Sequence, residues 1–582
     1  MEIEKLATSA IEDIMSKTDY IDPCINSGDK EPSWDGYLDV YSNGSKKKEF
    51  FKGKALVQVK GKRCTQFSEE EIRYQVKVSD LKNYRIEGGT LYFVVQINDL
   101  GEKKIFYNAL LPYEINKLLE NVGSKKSISV KMYVFPTDKN EVTNIVYNFL
   151  RDKESQVLVR DGRFLFVEEM IKQFGADKLK FTFTYTGLGY DRNRPHEYLF
   201  NHDIYLYAQH TDLNIKIPID HMWRADICKT ELEGTVKVGE KIFYDKYDVI
   251  HKRDGDELHI GKSIVFVINN GSNPILKYNL KGDLSERIVA ETMMVELIKN
   301  EVLFINGIKL EINPSQDERK KFDVEKMESH VKHLTEINEV LELLGVKERL
   351  DCSNLGEKDE EYIRMLIAAI KYNQAIGISN MKVPPIATVD IGNLKIMLSF
   401  KPQVDGRYRL SNYSDCDIDV MAESSDGSKF PTSKYTILVA DDFASVSNMD
   451  VGLIVDEMMT MDNSSHLSRV VLTLLEMIKA YDIKKNTQLL EEATRLAKWL
   501  CEKEESDISM VNLYQCYFRK RELSDEEKVV LDKIVENNQE NIAIKVAACI
   551  LLKDTRKANL YINKLSSEEL TVFKGYPIYS LL

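Results

Sequence analysis

The chain has 582 residues, of which 43% are hydrophobic and 30% charged, with a net charge of −13. This length predicts three or four domains with ordinary packed cores, and the charge excludes a surface that is a nucleic-acid sleeve throughout. There is no apolar run of about 18 residues, so no membrane span is expected, and the acidic opening MEIEKLATSAIEDIM does not read as a signal peptide.

The 8 cysteines are scattered singly without a CxxC pair. Zinc-ribbon and thioredoxin motifs are therefore excluded, and a reducing cytoplasm is the expected compartment.

Ile3, Leu6, Ala7, Ala10, Ile11 and Ile14 stand at helical spacing and predict a helix over 3–15. Strand patterns follow at 36–41, 54–60, 72–78, 90–97 and 104–108. A short helix from Ser79 to Tyr84, capped by Ser79 or Asp80, interrupts them. A helix over 111–122 and a strand over 127–135 complete an α/β domain with a mixed sheet, spanning 1–152. Basic and acidic side chains balance over 1–150, so the negative charge lies downstream. Lys46, Lys47, Lys48, Lys52, Lys54, Lys60, Lys62 and Arg63 crowd one stretch against Glu49. Either a solvated hairpin tip or a phosphate-contacting patch accounts for them.

Strands at 157–166, 179–186, 203–209, 213–218, 234–238 and 263–268 predict a β-rich domain over 153–322. It closes on a capped helix and a hairpin around Asn306-Gly307. Residues 323–445 read as a helical connector followed, after Pro384-Pro385, by a small β module. Helices at 466–481, 487–503, 509–521, 525–537, 541–552 and 555–563 predict a helical hairpin array over 446–582. AACILLKDTRKANLYINKLSSEEL resembles a tetratricopeptide-like repeat, without a clean period of about 34 residues. An irregular bundle is the other reading. The fold class is multi-domain α+β: an N-terminal α/β domain, a β-rich middle and an α-helical C-terminal region.

Chemistry concentrates in the first domain. Asp35 opens DGYLDVY, where Asp35, Tyr37 and Asp39 share one strand face. ALVQVKGK follows, with Leu56, Gln58 and Lys60 on one face. If the two strands form a hairpin, Asp35 meets Gln58 and Lys60 at one end of the sheet. A carboxylate suits Mg²⁺ (or Mn²⁺), and the Gln58 amide and the Val59 carbonyl add neutral oxygens. The Lys60 charge favours ionisation of an attacking water and steadies charge developing on a phosphate. The reaction expected is in-line hydrolysis of a phosphodiester.

D-G, a spacer and Q-V-K resemble the PD-(D/E)XK nuclease superfamily in its Mrr-like Q-x-K variant. DKEPSWDGYLDVY, VQVKGK and LKNYRIEGGTLYFVV resemble the N-terminal nuclease domains of bacterial anti-phage defence proteins. The resemblance covers about a quarter of the chain. It implies a restriction-endonuclease-like fold, metal binding by Asp35 and Gln58, a catalytic Lys60, and Glu31 as an extra acid. Gln58 departs from the Glu or Asp of many members, which weakens metal affinity. Members often add a glutamate from the first helix. Glu12 is the obvious candidate, yet it sits opposite the apolar stripe.

Lys62, Arg63, Arg73, Lys77, Lys82 and Tyr84 are candidate nucleic-acid contacts, with a wet or packing surface as the alternative for each. Trp34 reads as packing and Asp39 as a surface acid. No GxxxxGK[ST] loop is present, all 9 histidines follow residue 190, and His330/His333 read as a solvated helix face.

The function expected is a metal-dependent endonuclease, cutting double-stranded DNA by preference, in anti-phage defence. Its downstream domains would sense a phage-derived trigger or bind a protein partner through the helical region. A homo-oligomer is compatible with this reading. The rivals are a non-catalytic scaffold with a degenerate nuclease fold, an RNA- or tRNA-cutting toxin, and a small-nucleotide sensor in the β-rich middle.

Overall fold

The computed structural model describes residues 2–26, 33–120, 122–162, 167–212, 215–269, 274–312, 322–378, 383–423, 427–461, 464–537 and 541–582. They divide into two compact units. One comprises Met1–Thr230, Val249–Glu257 and Val267–Pro274; the other comprises Glu231–Asp248, Leu258–Phe266 and Ile275–Leu582.

The first unit is built on a seven-stranded mixed sheet. Its elements, in chain order, are α1 (Glu2–Ser16), β1 (Ile21–Ile25), β2 (Gly36–Tyr41), β3 (Phe51–Arg63), β4 (Glu71–Lys77), α2 (Val78–Ile86), β5 (Thr90–Ile97), β6 (Lys103–Leu110), α3 (Pro112–Glu120), β7 (Ser127–Val134) and α4 (Lys139–Ser155). The strand order is β1-β2-β3-β5-β6-β7-β4. β3 and β5 run parallel, which requires a crossover, and β4 with α2 supplies it.

Two apolar layers sandwich the sheet. On one face, Ala7, Ala10, Ile11, Ile14 and Met15 of α1 pack on Val57, Val59, Phe93 and Val95, together with Val142, Val146, Phe149 and Leu150 of α4. On the other, Leu81 and Tyr84 of α2 cover Tyr92, Val94, Phe106, Val130 and Met132. Every residue of β5 is buried because both of its faces are covered, so its sequence reads TLYFVVQI without alternation.

α4 carries Val142, Ile145, Val146, Phe149 and Leu150 at helical spacing. Asp138 caps it, accepting from the N–H groups of Asn140 and Glu141. Its apolar face shares one core with Tyr205 and Tyr207, so the expected boundary at 152 falls inside packed structure. The strand expected over 157–166 is a 3₁₀ turn at Val157–Val159 with a helix from Val167; 163–166 lie outside the described residues. Val157 and Leu158 are exposed, so the apolar run does not mark a buried strand. A three-stranded antiparallel sheet (Leu179–Thr182, Ile204–His210, Lys216–Met222) and the helix Pro195–Asn201 follow.

In the second unit, the helix Leu284–Asn300, capped by Asp283, packs along Val324–Leu343. His330 Nδ1 lies 2.6 Å from Glu291 Oε2, so this histidine is paired with a buried acid rather than freely solvated. A three-stranded meander (Ile386–Ile391, Leu394–Pro402, Tyr408–Asn412) precedes the C-terminal helices. Ser464–Lys484, Thr487–Lys503, Asp507–Lys520, Asp525–Asn537, Ile542–Leu551 and Thr555–Ile562 pack mainly on their neighbours around Leu474, Ile478, Leu496, Cys516, Leu531 and Ala548. None of the cysteines is paired. No helix among the described residues is long and apolar enough to cross a membrane.

Candidate active site

β2 and β3 form the hairpin expected from their apolar alternation: Gly36 pairs with Val57, and Tyr37 with Leu56. Leu38 and Val40 point into the core. Asp35 stands one residue before β2 and is held from both sides. Its N–H donates to Val57 O at 3.0 Å, and its carbonyl accepts from Asn26 N at 2.9 Å. The following glycine is obligatory. Gly36 has φ +151°, and a Cβ there would lie 2.3 Å from the carbonyl oxygen of Cys24 on β1. The D-G pair is thus a backbone device that turns Asp35 out at the end of β2.

The Asp35 carboxylate lands on β3. Its Oδ2 accepts from the Gln58 side-chain Nε2 and from Val59 N at 2.7 Å. Burial holds the Asp35 carboxyl above its ordinary range, against the opposing pull of the Val59 N–H and the Lys60 ammonium. Gln58 is buried, and its Oε1 faces the Tyr84 hydroxyl at 3.5 Å. Lys60, two residues on, shares the Gln58 face and is half-buried. Asp35, Gln58, Val59 and Lys60 therefore meet at one place.

The donor set fits a small divalent cation. One Asp35 oxygen takes the two N–H groups; the other has no such donor among the described residues. Exchanging the two ends of the Gln58 amide, which have nearly the same shape, brings Oε1 beside Asp35 and turns Nε2 to the Tyr84 hydroxyl. The Val59 carbonyl points to the same side of β3 as its N–H, past the end of β2. One carboxylate with neutral oxygens is a hard, low-charge set that leaves Mg²⁺ most of its waters.

Residues that register together share a face, which sorts the remaining candidates. Gln58 pairs with Tyr92 and Tyr92 with Asn108, the face covered by α2. Arg73 pairs with Lys131, on the face of Tyr133 and Tyr107. Arg73 and Lys77 are thus on the opposite face from Gln58 and Lys60, and the structure does not bring them to the site. Lys62 is exposed on the Lys60 face, whereas Arg63 alternates to the other. Lys82 is exposed on α2. Tyr84 is fully buried, so it orients Gln58 and presents no surface to a nucleic acid. Burial holds its hydroxyl far above the ordinary range. Glu31 lies outside the described residues.

The lysine-rich stretch does form the turn, but at the far end of the hairpin from Asp35, roughly 20 Å along the strands. Lys46 donates to Ile21 O at 2.6 Å, Lys52 sits 4.7 Å from the Tyr147 ring centre, and Lys54 sits 3.7 Å from that of Tyr37. These three stems dock on their own domain. Lys54 also faces Asp39 at 3.9 Å, so Asp39 is a partnered acid away from the site.

Trp34 packs against Tyr84, ring centres 5.8 Å apart, with its indole N–H unpartnered among the described residues. The first-helix carboxylate whose charge reaches Asp35 is Glu4, which pushes the Asp35 carboxyl upward. Sequence reasoning missed Glu4 because the choice turns on how α1 docks: Ile3 and Ala7 meet Gly61 of β3, which seats the start of the helix over that strand.

Compared with protein-family models, curated proteins and solved structures, the chain matches none.

Proposed function

We propose that the N-terminal domain is a metal-dependent nuclease of the PD-(D/E)XK type that hydrolyses phosphodiester bonds, with double-stranded DNA as the preferred substrate. The observation that carries this reading is the convergence of Asp35, Gln58 and Lys60 where β2 ends beside β3. Such an end leaves backbone and side-chain oxygens facing outward, which an intact sheet does not.

Asp35 and Gln58 would hold Mg²⁺ or Mn²⁺, with Val59 O adding a neutral oxygen and Glu4 adding negative charge nearby. A cation bound there supplies Lewis-acid activation of water and neutralises phosphate charge. Asp35 is prepared for it, because a carboxylate that burial disfavours gains most from a nearby positive charge. Tyr84 and the Val59 N–H orient the ligands. Lys60 stabilises the extra negative charge on the phosphorane-like transition state. Lys62 and Lys82 are exposed cations for flanking phosphates. DNA as substrate and a role in anti-phage defence rest on the family resemblance, and the downstream regions would then sense a trigger or hold a partner.

The test uses purified full-length protein with plasmid, linear DNA and RNA, with Mg²⁺ or Mn²⁺, against Lys60→Ala. Cutting by the native protein that the variant loses supports the site. Equal cutting by both moves the chemistry elsewhere. Absence of cutting by either favours the rival reading, a binding scaffold, for which the neutral Gln58 already paired to Asp35 is the supporting feature.

A further inference from the structure

A second cluster of ligand-type side chains lies far along the chain from Asp35, in the same unit. His196 is on the helix Pro195–Asn201; His251 and Asp256 flank the turn between the strands Lys241–Lys252 and Gly255–Ile260. Ligand-capable atoms of the three lie within 4.8 Å of one another. His196 is only 7% exposed, and its Nε2 is buried with no hydrogen-bond partner among the described residues. A buried imidazole nitrogen without a partner is a desolvated group, and nothing among the described residues compensates it. His251 Nδ1 meets Asp256 Oδ1 at 2.9 Å, the contact that commonly fixes the ring of a ligating histidine.

Local anchoring keeps the three together. Arg253, in the turn, donates to the carbonyl of Phe200 and lies 5.7 Å from that ring's centre. The turn is thereby clamped to the helix that carries His196.

We propose that His196, His251 and Asp256 form a second cation site, separate from the Asp35 cluster, that takes one zinc-type transition-metal ion through two imidazole nitrogens and one carboxylate oxygen. Two nitrogens with one oxygen select this class over Mg²⁺ or Ca²⁺, which prefer oxygens alone. The ion staples the helix to the hairpin turn. The two rings now stack face to face, 3.6 Å apart with 5° between planes. Parallel rings at that distance cannot both aim an in-plane lone pair at one ion. Binding therefore turns one ring about its Cβ–Cγ bond, exchanging a stacking contact for a metal–nitrogen bond.

The experiment uses full-length protein stripped with a chelator and kept in excess Mg²⁺, so that an oxygen-lined site is already filled. Zn²⁺ is titrated in competition with a chromophoric chelator, in the native protein and in His251→Ala and Asp256→Asn. One zinc per chain is expected, bound at least about 10- to 100-fold more weakly in each variant. X-ray absorption at the zinc edge of the native protein then reads the ligands independently of how the variants fold. Two imidazoles and no sulfur are expected. Failure to bind stoichiometric zinc, unchanged affinity in both variants, or sulfur in the zinc shell would each overturn the proposal. Asp35→Asn retains the zinc if the two sites are separate, and its loss there would overturn that separation. Because none of these readouts is nuclease activity, they stand apart from the test of Lys60.

Discussion

Gly61 follows Lys60 on β3, and α1 lies directly over it. A Cβ at this position would sit 2.5 Å from Ile3 Cγ2, 2.9 Å from Ile3 O and 3.3 Å from Ala7 Cβ, against ordinary contacts of 3.4–4 Å. The Ile3 side chain can move, but its carbonyl belongs to the helix, and Ala7, Ala10 and Ile11 pin that helix in the core. Gly61→Ala therefore overpacks the α1/β3 seam, at a cost of about 1–3 kcal/mol. Replacing glycine returns a part, about 0.4–1 kcal/mol, by restricting the unfolded chain. The net is a loss of about 1–2 kcal/mol, a factor of about 5–30 in local opening. Hydrogen exchange in the full-length protein reads this directly, as faster exchange of α1 and β3 amides with the C-terminal helices unchanged. Adding Ile3→Ala recovers only part of the loss, because the carbonyl contact remains. Exchange at α1 and β3 as slow as in the native protein would refute this account of how α1 docks.

Three further expectations follow from the same unit. Asp35→Asn keeps an oxygen to accept from Val59 N and removes a carboxylate that burial disfavours. Since the folded-state carboxyl is raised, its ionised form opposes folding at neutral pH. The variant should melt at or above the native temperature while losing any cutting; a stability loss beyond about 1 kcal/mol contradicts this. Tyr84→Phe strips the hydroxyl from buried Gln58 and should cost about 1 kcal/mol. Metal affinity or cutting should also fall about tenfold, measured by Mg²⁺ dependence, and an unaltered Mg²⁺ curve would remove Tyr84 from the site. His221 lies between Asp203 (2.7 Å) and Glu114 (3.5 Å). Burial opposes its charge, but the two acids outweigh that and push it up to about 9. Its folded value exceeds the unfolded one, so the stabilisation is complete below about pH 6.5 and fades as pH rises through about 9, on the order of 3 kcal/mol. Melting across that interval should fall more steeply in the native protein than in His221→Gln, and parallel curves would show the ion pair to be inert.

Local rules carried much of the architecture. Helical spacing alone located α1 and, to the residue, the helices Thr487–Lys503 and Asp525–Asn537, because each buries one continuous stripe and ends at short polar linkers. Alternation likewise placed β2 and β3, in which Leu38, Val40, Val57 and Val59 are buried. It also put Gln58 and Lys60 on one face. Both signals are local, set by the period with which side chains leave the backbone.

What escaped them depends on partners distant in the chain. α4 is amphipathic in sequence, but that its apolar face is shared with Tyr205 and Tyr207 is visible only once the layers are stacked. Lysines that look like a phosphate patch as a string are drawn onto Ile21, Tyr147 and Tyr37 by packing. Arg73 and Lys77 were separated from Gln58 by sheet register, which nothing within β4 reveals. The charge of Glu4 reaches Asp35 because Gly61 admits the first turn of α1. His196 and His251, more than fifty residues apart, meet only where a hairpin turn folds onto a short helix. The chain's own periodicities determined the elements and their inward faces. Docking angle and strand register, set by long-range packing, decided which polar groups stand together.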